Sequence, residues 1–417
     1  MSRQNASTTT ALVVINAVFF MWGLMTVLND ILIPHLKGMF TLSYFQAMLV
    51  QFCFFGAYFI MATPWGAVLS RIGYRATIIA GLVLTGIGTA LFLPAAAVAS
   101  YPLFLFAFFV MATGITGLQV AANPYVSLLG EERHASSRLN LAQAFNSVGT
   151  VFGPYVIGPM ILAGTVLGAA ELAKLPAVQQ AAYQAAQAKL VEGPYAVLAV
   201  VLVVLAVAIW LFRLPPLEAK EEQSAAKDEH SFFDALRHSH VFLGVIAIFL
   251  YVGAEVSIGS FLVNYIALPD IGHMSEHDAT KYVALYWGGA MIGRFVGAAL
   301  LKVLDPRKVL GFFAIIASLL VITTMSTHGN VAVTTVVAIG LFNSVMFPTI
   351  FTLGIDKMGP LAGKASSLLI MGIVGGALVP LAQGALADHI GVQHAFVLPL
   401  LCYLYIMFYG FKGSKVA

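Results

Sequence analysis

The chain has 417 residues, of which 60% are hydrophobic and only 9% charged, with a formal net charge of +3 and a mean hydropathy of +0.92. Average usage is about 25% charged, so there are too few charges here to cover a wetted surface, which excludes a water-soluble enzyme and a disordered chain alike. The slight positive balance is scattered among loops, leaving no nucleic-acid-binding face. Cys53 and Cys402 both lie in apolar runs, which excludes a disulfide framework or a cysteine zinc site. What remains is an all-α membrane protein with lipid around it.

A helix needs about 20 apolar residues to cross a bilayer. With loop charges, Pro and Gly as punctuation, twelve such spans are predicted. The first six cover 11–33, 43–69, 76–97, 101–128, 139–165 and 194–213; the second six cover 241–267, 281–303, 308–328, 331–354, 365–387 and 394–411. The tail before the first span has one basic residue and no small-residue cleavage site, so that span reads as a helix and not as a secretory signal. The Ala- and Gln-rich stretch 166–193 has room for a short surface helix. Residues 214–240, with Pro215-Pro216 followed by interspersed acids and bases, read as a solvated linker between a bundle at 1–213 and a bundle at 241–417.

Lys and Arg orient the spans. Sixteen of the 21 fall in the termini and loops of one side, four on the other, and Arg294 lies inside a span. The positive-inside rule then puts both termini and the linker in the cytoplasm, as in a bacterial-type inner-membrane protein, monomeric by default.

The two bundles repeat each other. Gln119–Gly130 (QVAANPYVSLLG) and Asn343–Gly354 (NSVMFPTIFTLG) share a register that sets Gln119 on Asn343 and Pro124 on Pro348. Parallel six-helix repeats imply a pseudo-twofold along the membrane normal, with a substrate site near the midplane and alternating access by rocking.

Charges within spans are expensive and point to function. Of the 18 acidic residues only Asp30 and Glu255 lie inside spans. Helices 1 and 7 are equivalent under the repeat, so both carboxylates are expected to face the centre and carry the coupling cation. Either could load and release a proton, or join hydroxyls and carbonyls in a sodium site; sodium and proton both stay open. Arg294, beside Gly293 and Gly297, is expected to tie helix ends together. A polar small-molecule substrate needs buried donors and acceptors, and the spans supply Gln119, Asn123, Gln143, Asn146, Asn343 and Gln383, with Trp22, Phe145, Tyr251, Tyr286 and Trp287 as apolar platforms. His273, Glu276, His277 and Asp278 have metal-like spacing but read as a solvated connector. No catalytic triad, nucleotide motif, metal site or bound cofactor is indicated.

Several of these motifs carry a family resemblance. Gly66, Arg71, Gly73 and Arg75 resemble the loop 2–3 signature of the major facilitator superfamily, with Ser70 where that signature has Asp, and Gly293, Arg294, Arg307 and Lys308 resemble its second-half echo. Arg71 and Arg75 are therefore implied to be gating or structural residues. Asn29-Asp30-Ile31-Leu32-Ile33-Pro34, Ala121-Ala122-Asn123-Pro124, Leu139 to Ser147, Tyr251-Val252-Gly253-Ala254 and Phe347 to Phe351 resemble the fucose permease and its glucose/galactose relatives. The resemblance implies import of a monosaccharide with a proton or sodium. It also implies an exchange, because the permease carries a carboxylate at the position of Gln119 and an amide at that of Glu255. An amide does not titrate, so the candidate carboxylate has moved to the other half. The rival readings are a proton-driven multidrug or sugar exporter of the same fold, which the amide-rich site disfavours, and a membrane sensor, which the short linker disfavours.

Overall fold

A computed structural model describes residues 2–40, 42, 44–161, 172, 174–212, 214, 215 and 231–416, without side chains at 2–9, 29–31, 34, 37, 38, 44, 45, 47, 48, 276 and 277. The described chain is helical, with no strand. In hydrocarbon every backbone N–H and C=O must be satisfied within its own segment, and helices do this.

In chain order the helices are α1 (Ser2–Phe40), α2 (Tyr44–Ala90), α3 (Phe92–Ala97), α4 (Tyr101–Leu128), α5 (Ala135–Val156), α6 (Gly158–Ile161) and α7 (Ala177–Leu211). They continue as α8 (Phe232–Leu236), α9 (Ser239–Ile266), α10 (Glu276–Leu300), α11 (Pro306–Ser326), α12 (Gly329–Asn343) and α13 (Met346–Gly354). The last are α14 (Ala362–Met371), α15 (Gly375–Ile390) and α16 (Val397–Phe408).

Ten described segments are long and apolar enough to cross a membrane. One of them, Leu49–Ala97, has 49 residues, about 74 Å of helix, more than twice a hydrocarbon core of about 30 Å. It is two crossings joined at Gly73, whose φ of 75° lies where residues with a Cβ are strained. The segment absent from the ten is α5, long enough at 22 residues but loaded with Asn140, Gln143, Asn146 and Ser147. With both counted, the described residues hold twelve crossing segments. Span 6 differs from expectation in being longer: α7 starts at Ala177 and takes most of the Ala- and Gln-rich stretch into one continuous helix. The bulk of the 214–240 linker, residues 216–230, lies outside the described residues, as do 162–171.

The chain divides into two compact units, Met1–Ala122 with Val148–Pro215, and Asn123–Ser147 with Pro216–Ala417. In the first, α2 lies along α7, with α1 and α3 beside them. The outer row Val197, Val200, Val204 and Val207 of α7 stays exposed, as a lipid-facing stripe does. In the second, α9 is central, packed against α10, α13, α14, α15 and α16, while α12 packs on α10 and α11. Gly340 lets α12 approach closely: a Cβ there would fall 2.2 Å from the Tyr286 carbonyl oxygen of α10. The stretch 123–147 belongs to this unit through hydrogen bonds from α5 to α10, Ser137 Oγ to the Ala298 carbonyl at 2.6 Å and Asn140 Nδ2 to the Arg294 carbonyl at 2.7 Å.

Candidate functional site

In the first unit, Gln119 of α4 is buried and donates through Nε2 to the Tyr58 hydroxyl of α2 at 2.6 Å. Trp22 of α1, also buried, hydrogen-bonds the same hydroxyl and packs its ring 5.1 Å from Phe19. The Gln119 Oε1 is buried without a partner. An amide held at its nitrogen therefore presents an unused acceptor, and such an atom costs about 1–3 kcal/mol until something pairs with it.

A parallel arrangement occurs in the second unit on the equivalent helices. Asn343 of α12 donates through Nδ2 to the Tyr286 hydroxyl of α10 at 2.8 Å, and that hydroxyl lies 3.3 Å from the Glu255 carbonyl of α9. The Tyr403 hydroxyl of α16 donates to Asn343 Oδ1 at 2.7 Å. Both halves thus set an amide of the fourth or tenth span, at equivalent register positions, on a tyrosine of the second or eighth. They differ in saturation, since Asn343 has both ends engaged.

Glu255 is the charged member of this network. Its Oε1 lies 2.7 Å from the Tyr251 hydroxyl one turn earlier, which is also 3.0 Å from the Asn343 carbonyl. With one proton to give, Tyr251 serves one of these acceptors at a time. Arg294 of α10 reaches Glu255 Oε1 with Nη2 at 3.8 Å, the two side chains each 12% exposed. Its Nη1 also donates to Ser147 Oγ and lies 3.5 Å from the Gln143 carbonyl, both on α5, and its Nε has no partner. The expectation that Arg294 ties helices together thus gains a second partner, a carboxylate. Two opposite charges in neighbouring spans favour such a pair in lipid, but only the rotation of the two helices brings them together.

The remaining candidates are placed as follows. Asn123 Oδ1 accepts from Gln143 Nε2 at 3.4 Å, and Asn123 Nδ2 is buried and unpaired. Asn146 is buried on α5. Gln383 is fully buried with both amide atoms unpartnered. Asp30 lies within α1, but its side chain is outside the described residues. Arg75 reaches the C-terminal carbonyls of α7, Ile209 and Trp210, while Arg71 is exposed. In the connector before α10, Ser275 caps α10 by accepting from the Asp278 N–H, and Asp278 pairs with Lys281 at 2.8 Å; the side chains of Glu276 and His277 lie outside the described residues. The tyrosines Tyr58 and Tyr403 were not singled out by sequence, because an aromatic among 12% aromatics carries no mark of its hydroxyl's role. The echo of the loop signature contributes an ion pair, Arg307 to Asp356 at 3.2 Å.

Comparison with known proteins bears on this architecture. The profile of the Major Facilitator Superfamily matches residues 12–373. A protein named glucose/galactose transporter from Brucella abortus is 49% identical over 97% of this chain and 94% of its own length. The L-fucose-proton symporter of Escherichia coli is 35% identical over 96% and 92%. A crystal structure of the transporter FucP in the outward conformation superposes with a TM-score of 0.89 at 34% identity, covering 98% of this chain and all of that one. The proton:xylose symporter XylE, at 13% identity and a TM-score of 0.71, shares the fold. The chain belongs to the Major Facilitator Superfamily and is a multi-pass membrane transporter.

Proposed function

We propose that this transporter imports a hexose of the glucose/galactose type by cation symport, working by alternating access between bundles 1–213 and 241–417. The observation that carries the reading is Glu255, an ionisable side chain buried in mid-span within a tyrosine, amide and guanidinium network. A group so costly to bury needs a reason, and ion coupling supplies one. The names borne by its relatives supply the sugar. Gln119, Asn123, Gln143 and Asn146 are the sugar-binding amides, with Trp22 and Tyr251 as apolar platforms. Asn343 acts by orienting Tyr286 and Tyr403, and Asp30 shares the cation role with Glu255. Both termini face the cytoplasm of a bacterial-type inner membrane, and the working unit is a monomer.

The test is uptake of labelled glucose and galactose into proteoliposomes under an imposed sodium gradient or an imposed proton gradient. Accumulation driven by one gradient and not the other identifies the coupling ion. Glu255→Gln is expected to abolish accumulation while preserving exchange of sugar across the membrane. Concentrative uptake unchanged in that variant removes Glu255 from the mechanism, and failure of both gradients to drive either sugar overturns the substrate class.

A further inference from the structure

Arg294 joins three helices. From α10 it reaches the Glu255 carboxylate on α9 at 3.8 Å and the Ser147 hydroxyl and Gln143 carbonyl on α5. Further contacts join α5 to α10 around it, at the C-terminal end of α10. Asn140 of α5 donates to the Arg294 carbonyl, Ser137 donates to the Ala298 carbonyl, and Phe145 sits 6.2 Å from Phe295. A Cβ on Gly297 would come within 2.7 Å of Asn140 Nδ2. Where α5 docks on α10, therefore, a guanidinium is enclosed whose one anionic partner among the described residues is Glu255.

Building on the coupling role given to Glu255, we propose that Arg294 is the positioning residue through which α5 senses the charge on Glu255. Neutralising that carboxylate, by whichever cation, releases α5 from α10. The physical reason is the asymmetry of buried ion pairs. A pair broken by loss of one charge leaves the other uncompensated, at greater cost than having no pair at all. With Glu255 ionised, the docked arrangement encloses a balanced pair. With Glu255 neutralised, it encloses a lone guanidinium whose Nε already lacks an acceptor, and separation of α5 lets water solvate it. Linkage requires the converse as well: the separated arrangement binds the coupling cation at Glu255 more tightly than the docked one. The neutral hydrogen bonds from Ser137 and Asn140 hold α5 but do not respond to charge, which leaves Arg294 as the sensing element.

The test reads docking directly by alkylation with N-ethylmaleimide of a chain carrying Ala298→Cys, with Cys53→Ser and Cys402→Ser to silence the native thiols. Ala298 is buried and its carbonyl accepts from Ser137, so its modification reports separation of α5. Glu255→Gln is expected to raise the alkylation rate roughly ten- to a hundredfold, the usual span of coupling between sites. Adding Arg294→Gln is expected to return the rate to near the parent value, because no lone charge is then enclosed. A merely structural arginine would instead make the double variant open further. An unchanged rate in Glu255→Gln, or an equal acceleration with and without Arg294, overturns the proposal. Should Glu255→Gln not fold, Ser147→Ala carries the test: it weakens the grip of Arg294 on α5 without altering charge, so a rate several-fold above parent is expected and the parent rate refutes it. Sugar accumulation, measured on the same vesicles, separately decides the coupling role of Glu255.

Discussion

Asn343→Leu keeps the branched shape of the side chain while removing both hydrogen-bonding atoms, and so exposes how the second-unit network is held. Asn343 is fully buried, receives the Tyr403 hydroxyl at 2.7 Å and gives a hydrogen bond to Tyr286 at 2.8 Å. Leucine fills the space and makes neither bond. Tyr403 is left with a buried hydroxyl and no acceptor, and Tyr286 loses its donor while keeping its contact with the Glu255 carbonyl. Each orphaned group costs about 1–3 kcal/mol, so a total of about 2–4 kcal/mol is expected, read as a lowered thermal midpoint of the purified transporter. A double-mutant cycle separates the contribution of the Tyr403 bond. Tyr403→Phe alone strips Asn343 Oδ1 of its partner and costs about 1–2 kcal/mol, but in the Asn343→Leu background it removes an orphan and should restore about 1 kcal/mol. If the double variant is less stable than Asn343→Leu by the full cost of Tyr403→Phe, the two residues are independent and the network is not a unit.

Two further outcomes follow from particular contacts. Gly340→Ala places a Cβ 2.2 Å from the Tyr286 carbonyl oxygen, so α12 must move off α10; a loss of about 1–3 kcal/mol in thermal stability is expected, together with weaker sugar uptake as the Asn343–Tyr286 bond lengthens. Burial pushes the His35 imidazole below its ordinary value of 6.5, opposed by a contact of 3.1 Å with the Gln187 carbonyl. The fold prefers the neutral ring, so its contribution is complete above pH 6.5 and is lost as pH falls below it. His35→Gln should therefore flatten the acid side of the stability profile, and an unaltered profile would clear His35 of that role.

The crossings were legible because lipid leaves the backbone one workable solution, and a run of about 20 apolar residues announces it. Even α5, too polar to register by apolarity, was legible from Arg138 in its first turn and from its own motif, since the amides that spoil its hydropathy are the ones that suggest a site. Continuity was harder to read. Residues 177–193 are rich in alanine and glutamine, good helix formers but not apolar ones, so the sequence showed a surface segment where α7 runs straight through. Side-chain partners were hardest. Whether Arg294 meets Glu255 depends on how α9 and α10 are rotated about their axes, and no pattern within either helix states that. The repeat was a partial exception. Because Gln119 and Asn343 share a register, the equivalence of the two amides could be read from sequence, while their tyrosine partners could not.

That equivalence also isolates what is different about the first unit. Asn343 engages both ends of its amide with tyrosines, whereas Gln119 engages only its nitrogen, with Tyr58, and keeps Oε1 unpaired. Tyr58 receives Gln119 and also bonds Trp22, so it fixes which end of the Gln119 amide is offered. Tyr58→Phe deletes that anchor, and the amide becomes free to rotate and present nitrogen where oxygen stood. If Oε1 accepts a hydroxyl of the transported sugar, the loss of one oriented hydrogen bond, about 1–1.5 kcal/mol, raises the half-saturation concentration for uptake roughly tenfold. The maximal rate should change little, because the bond is made to bound sugar throughout. Deoxy-hexoses locate the contact: one lacking the hydroxyl that Gln119 holds should be taken up equally by parent and variant, while the others keep the difference. A variant that melts earlier but binds every sugar with parental half-saturation would make the Gln119–Tyr58–Trp22 triad a packing device, and sugar recognition would have to be sought among Asn123, Gln143 and Asn146.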